Sequence, residues 1–295
     1  MDMRPITKYL GIQFEHDWST RELWIHQGEY ILHILNEYGL SDCHPVVLPV
    51  DPTYAFLSDD VAVKLPDIPD LPSLYPKLIE ELLYLSICTH PDITHAVQHF
   101  SQYLARLTPC LFAAAKRILH YLTGTVNYHL HYRDATRTSE LHGFSDADWA
   151  TCPEDHVSIT GYCWFYYRGM ISHVSKKQFT QALSSTEARY MAIVSALQEG
   201  LWLHTFFQLL SIPFHTPIHL YVDNAGAITV SCEALNNYWT KHIDIHFYFC
   251  HTHIESGTFS TDWLMSAKNI VDILTKALLC PLFSYHVSGL SLVSH

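Results

Sequence analysis

Eight cysteines are present without a C-x-x-C pair or any regular spacing. That excludes a disulfide framework and reads as reduced thiols. No stretch approaches the ~18 uncharged apolar residues of a membrane span. The opening Met1-Asp2-Met3-Arg4-Pro5 lacks the apolar core of a signal peptide. The expectation is a protein that does not associate with membranes and is intracellular, cytoplasmic or nuclear, not secreted. Positive charge is scarce: 17 Lys+Arg stand against 29 Asp+Glu, a formal charge of -12. A free-standing, non-specific nucleic-acid binder is usually basic, so that class is disfavoured. A nuclease is not, because bound metal ions supply local positive charge where a phosphate docks. Internal repeats and low-complexity tracts are also missing.

What is present is enough apolar material for a real core: 48% of 295 residues are hydrophobic, which suits two domains. The 22 histidines are scattered rather than gathered in one tract.

The first part of the chain reads as two strands, 8–14 and 23–26, around a polar turn at Asp17-Trp18-Ser19-Thr20. A helix over 27–38 follows, with Tyr30, Ile31, Ile34 and Leu35 on one face and Gly39 as its stop. The proline- and aspartate-rich stretch 46–76 reads as a long loop. Helices are expected over 77–88, 91–107 and 111–122, with Pro91 in a first turn and Gly124 ending the third. Beyond Gly124 the pattern changes. Strands are expected over 141–146, 159–167 and 170–176, then a long helix over 186–210. A buried strand over 218–222 leads into a helix from Asn224. A helix over 242–255, a strand over 258–263 and a helix over 269–278 complete a mixed α/β layout.

Four carboxylates in this second part, Asp146, Glu187, Asp223 and Asp272, end two predicted strands or lie on two predicted helices. A sheet flanked by helices can bring all four to one edge, where divalent cations would relieve their repulsion. Each also has a plain structural reading. Asp146 suits a turn or cap. Ser184-x-x-Glu187 is a capping box. Asp223 suits an N-cap, and Asp272 a first helical turn favoured by the dipole. Asp148 competes with Asp146. Lys176, Lys177 and Lys241 are candidates for phosphate contacts or solvated surface lysines. His242, His246, Cys250 and His253 share one helix face, at a spacing that permits zinc or places histidines along the rim of a packed helix.

The combined segments resemble the C-terminal part of a copia-type LTR-retrotransposon Pol polyprotein. Phe144-Ser145-Asp146-Ala147-Asp148-Trp149-Ala150, Ser175-Lys176-Lys177-Gln178 and Ser184-Ser185-Thr186-Glu187-Ala188-Arg189-Tyr190-Met191-Ala192 carry the likeness to its ribonuclease H part. Tyr221-Val222-Asp223-Asn224, Thr240-Lys241-His242-Ile243-Asp244 and Asp272-Ile273-Leu274-Thr275-Lys276 continue it. Tyr9-Leu10-Gly11, Pro91-Asp92-Ile93 and Ala114-Ala115-Lys116-Arg117-Ile118-Leu119 resemble the end of its reverse transcriptase and the connection to the nuclease.

The resemblance implies a reverse-transcriptase thumb and connection remnant over 1–135, a ribonuclease H-like α/β domain over 136–280 and a tail over 281–295. The expected fold is a mixed sheet flanked by helices, preceded by a mainly helical region with a β-hairpin. Asp146, Glu187, Asp223 and Asp272 then correspond to an acidic tetrad holding two Mg²⁺ or Mn²⁺ ions. The implied reaction is cleavage of RNA in an RNA–DNA hybrid, and the implied alternative is an inactive binding or scaffold remnant. No polymerase activity is expected from this chain: Leu57-Ser58-Asp59-Asp60 follows Tyr9-Leu10-Gly11 and lacks the needed tyrosine. A polymerase portion would come from another chain. Two departures stand out: Glu80-Glu81 replace small residues, and Arg189 stands where the family usually carries an acidic residue.

Overall fold

The computed structural model describes residues 5–52, 68–133, 140–152, 155–232 and 241–295, the side chains of 241–247 excepted. Leu57-Ser58-Asp59-Asp60 and the side chain of Lys241 lie outside the described residues. The strands are β1 (Lys8–Tyr9), β2 (Ile12–Asp17), β3 (Glu22–His26), β4 (Tyr128–Arg133) and β5 (His142–Asp148). They continue as β6 (Ile159–Tyr166), β7 (Gly169–Lys177), β8 (Ile218–Val222), β9 (Phe259–Trp263) and β10 (Leu292–Ser294). The helices are α1 (Gly28–Glu37), α2 (Leu71–Cys88), α3 (Thr94–Ser101), α4 (Pro109–Thr125) and α5 (Ser185–Leu209). Then come α6 (Ala225–Cys232), α7 (Lys241–Glu255), α8 (Asp272–Thr275) and α9 (Cys280–Gly289). Residues 1–133 and 277–295 form one compact unit, and 134–276 the other.

In the first unit the expected leading strand is broken in two. Leu10 and Gly11 adopt positive φ, so β1 folds back antiparallel onto β2. The polar turn forms as its residues demand: Asp17 Oδ1 accepts from Ser19 N at 2.8 Å, Ser19 Oγ at 2.6 Å and Thr20 N at 3.3 Å. Helix α1 buries Ile31, Ile34 and Leu35 and ends at Gly39, whose φ is positive. Helix α2 begins at Leu71, earlier than expected, because Pro72 suits a first turn. Two boundaries differ at the other helices. The expected 91–107 helix stops at Ser101, and α4 runs past Gly124 to Thr125.

Strand β4 and the stretch expected as a tail complete the sheet, in the order β1-β2-β3-β4-β10. The tail reading is corrected here. Phe283, Val287, Leu290 and Leu292 are buried, so 281–295 has apolar surface to hide and folds as α9 and β10.

The second unit has the expected mixed sheet flanked by helices, in the order β7-β6-β5-β8-β9. Strands β5, β6 and β7 pair antiparallel; β5, β8 and β9 pair parallel. The β6–β7 hairpin turns through Tyr167 and Arg168, both at positive φ. Trp164, Ile193, Leu197, Leu220, Val222 and Phe259 form its core with α5. A Cβ on Gly200 would meet Trp164 Cζ2 at 2.6 Å, so glycine is what lets α5 lie against that indole. Helix α8 packs on β6, where a Cβ on Gly161 would meet Thr275 Cγ2 at 2.7 Å. The helix expected over 269–278 is reduced to the single turn of α8.

Candidate functional site

Parallel pairing of β5 with β8 sets the site. The register Ser145↔Val222 carries the next residues, Asp146 and Asp223, to the same sheet edge. Antiparallel pairing puts Gly161 opposite Asp146, and the space above Gly161 admits α8 with Asp272 at its start. Asp146, Asp223 and Asp272 each offer a carboxylate oxygen, all within 4.8 Å of one another. The side chains of Asp146 and Asp223 are 0% and 2% exposed.

The fourth predicted ligand does not join them. Glu187 Oε2 accepts from Leu183 N at 2.7 Å, while Glu187 N donates to Ser184 Oγ at 3.1 Å. Both donors belong to the start of α5, so the capping reading is the one the structure displays. Two residues on, Arg189 takes the inward position. Its Nε lies 3.2 Å from Asp146 Oδ1 and 3.1 Å from Asp223 Oδ1. Lys276 Nζ lies 3.0 Å from Asp272 Oδ1 and 3.9 Å from Asp146 Oδ2. Thr275 Oγ1 donates to Asp146 Oδ2 at 2.9 Å.

The electrostatics follow from this packing. Burial, then the Asp146 charge, pushes Asp272 up to about 7, against the pull of Lys276. Burial also raises Asp148, where a Thr151 hydrogen bond, Lys276 and Arg189 oppose the shift and Asp146 adds to it. For Arg189 burial disfavours the charge, but Asp146 and Asp223 outweigh it and its pKa rises. Lys276 behaves likewise toward Asp272 and Asp146. Both cations therefore stay charged at any ordinary pH. Asp223 Oδ1 and Asp272 Oδ1 are nevertheless buried without a hydrogen bond, although each has a cation nearby.

Of the predicted phosphate contacts, Lys176 is exposed, with Nζ 4.7 Å from the Phe179 ring centre. Lys177 is engaged elsewhere: its Nζ lies 2.7 Å from Asp155 Oδ2 and donates to Cys152 Sγ at 3.1 Å. A cavity of about 540 Å³ beside Lys176 is lined by Tyr162, Phe179, Met191 and Trp202. On the α7 face, Cys250 is buried in the core, where burial pushes its thiol up to about 12, and the side chains of His242 and His246 lie outside the described residues. Among the described residues no helix is long and apolar enough to cross a membrane.

Arg189 and Lys276 are the site residues that sequence reasoning did not assign. The signal for Lys276 was its i,i+4 spacing from Asp272. For Arg189 it was the buried stripe Ile193, Ala196, Leu197 and Gly200, which extrapolates back by helical spacing to 189.

The chain is similar to the retrovirus-related Pol polyprotein from transposon RE1 of Arabidopsis thaliana. The two are 33% identical over 277 residues, 94% of this chain and 18% of that protein. The corresponding protein from transposon TNT 1-94 of Nicotiana tabacum is 29% identical over 276 residues, 93% of this chain and 21% of that protein. This chain thus spans about a fifth of the length of the curated relatives it matches. Among solved structures, LC11-RNase H1, isolated from compost by a metagenomic approach, is 14% identical with a TM-score of 0.35, covering 47% of this chain and 94% of that one. No family model matches the sequence.

Proposed function

The chain belongs to the retrovirus-related Pol polyproteins of copia-type transposons, and from that premise we propose a ribonuclease H-like module that binds RNA–DNA hybrid at a cleavage centre closed by its own Arg189. The observation that carries this reading is the Arg189 guanidinium lying between Asp146 and Asp223, at 3.2 and 3.1 Å. Three carboxylates are the hard oxygen donors that Mg²⁺ or Mn²⁺ takes. Such ions, when bound, supply activation of a water and stabilisation of a leaving oxygen. Here two fixed cations already face the three carboxylates, which leaves one negative charge in a buried cluster when Asp272 is ionised. A pair of dications would turn that into a strong positive excess, with Asp148 as the neighbouring carboxyl. The donor set therefore suits one divalent ion, not two, while Arg189 stays in place.

Hybrid would be read through shape, phosphates and 2′-hydroxyls. Lys176, with Phe179 and Trp202 beside its cavity, is the described candidate for that contact. Lys177 is held by Asp155, and Lys241 enters on its sequence position alone. A polymerase portion in another chain would be the natural partner.

The test is cleavage of a labelled RNA–DNA hybrid with and without EDTA, beside Mg²⁺ titration of the protein and of Arg189→Ala. The wild type is expected to bind hybrid without cutting it. Arg189→Ala should melt lower in EDTA, because its carboxylates lose their counter-charge. It should also bind Mg²⁺ about tenfold more tightly, or ~1.4 kcal/mol. The second reading is the two-metal nuclease with Arg189 swung out, and the convergence of Asp146, Asp223 and Asp272 favours it. It requires EDTA-sensitive cutting by the wild type, abolished in Asp146→Asn.

A further inference from the structure

We propose that Glu15, His26 and His129, with His295 as a fourth donor, form a binding site for a zinc-class divalent cation on the sheet of the first unit. The sheet register builds it. Glu15 pairs with Trp24, and Trp24 with His131. Alternation along each strand therefore puts Glu15, Trp24, His26, His129 and His131 on one face. Val293 pairs with His129, so His295, two residues on, shares that face.

Glu15, His26 and His129 each present one ligand atom, all within 4.8 Å of one another. His26 Nε2 lies 3.3 Å from Glu15 Oε1, yet it is buried and makes no hydrogen bond. Two donors at a tetrahedral zinc, each ~2.0–2.1 Å from the metal, sit about 3.3 Å apart. The pair is thus spaced as two ligands of one ion and not aligned as a hydrogen bond. His295 Nδ1 lies 3.9 Å from Glu15 Oε2, and its ring packs edge-on against His129 with centroids 5.4 Å apart.

Tautomers support the same assignment. His129 Nδ1 bonds the Asn127 carbonyl at 2.9 Å; a carbonyl only accepts, so Nδ1 holds the proton and Nε2 keeps its lone pair. Such a bond to the far nitrogen is how metal-ligating histidines are oriented. At His26 the Gly28 N–H approaches Nδ1 at 3.4 Å, the outer limit of a hydrogen bond. Binding through His26 Nε2 moves the ring proton to Nδ1 and gives up that contact. Both ion-pair partners of Glu15, His26 and His295, are imidazoles, which are metal donors themselves. Imidazole with carboxylate selects zinc and its neighbours over Mg²⁺. The ion would clip β2, β3, β4 and the last residue of the chain together.

The experiment is Zn²⁺ titration of the untagged, EDTA-treated chain by calorimetry, with Co²⁺ absorption to report tetrahedral geometry. One equivalent is expected to bind and to give the d–d bands of a tetrahedral site. Glu15→Gln, at a half-exposed position, and His26→Gln should each weaken binding at least about tenfold. His33→Gln, exposed on α1, should leave it unchanged. No binding, or binding unchanged in Glu15→Gln and His26→Gln, would overturn the site. Circular dichroism identifies any variant that has lost its fold, and Glu15→Gln then decides alone.

Discussion

Two residues along an α-helix is a rotation of about 200°, so Glu187 and Arg189 cannot face the same neighbours. Ala188 and Ala192 pack inward beside them, and the stripe that meets the sheet passes through 189. The capping box at Ser184 was legible from sequence, as were the three aspartates, because strand ends and helix starts announce themselves locally. The assignment of Glu187 to the cluster rested on motif order, which carries no rotational information. At Asp272 the sign of a pH effect follows from burial. The folded protein holds a proton to about 7 that the unfolded chain releases near ~3.9. Between those values the native state binds more protons, so stability falls as pH rises. Asp272→Asn removes that penalty. In EDTA its melting temperature should exceed the wild type's by more at pH 8 than at pH 5, as read by calorimetry; a gap that narrows toward pH 8 contradicts the assignment.

At the scale of elements, strong periodicity was readable and close approach was not. The long α5, the β6–β7 hairpin and the short buried β8 follow from apolar spacing. Strand β4 alternates Tyr128, Leu130 and Tyr132 but sits directly after a helix, and its two partners, β3 and β10, come from distant parts of the chain. Helix α8 keeps one turn because Asn269 leaves regular structure there, donating from Nδ2 to Ser145 O at 3.1 Å. The glycines that seat α5 and α8 against the sheet are likewise silent in sequence. Gly200→Ala forces its Cβ into Trp164, and Gly161→Ala forces it into Thr275 and Val271. Each should cost ~1–3 kcal/mol by overpacking in urea denaturation. Gly161→Ala should also disturb the carboxylate cluster, which the pH dependence of Asp272 would reveal. Wild-type stability in both variants would show that these contacts relax freely.

Over the whole molecule, composition bounded the answer without choosing it. With a formal charge of -12, the proposed hybrid binding would depend on a few local cations and weaken steeply with salt. The first unit takes its last helix and strand from the C-terminal segment, a long-range pairing that local patterns do not encode. In the second unit, the sheet edge expected to hold metal ions brings Asp146, Asp223 and Asp272 together, with Arg189 and Lys276 beside them. Mn²⁺ soaked into crystals of the wild type and of Arg189→Ala, and located by anomalous scattering, distinguishes the two cases directly. The wild type should show no pair of ions among Asp146, Asp223 and Asp272, and Arg189→Ala should gain metal there. Two ions about 4 Å apart in the wild type, with Arg189 displaced, would contradict the closed centre.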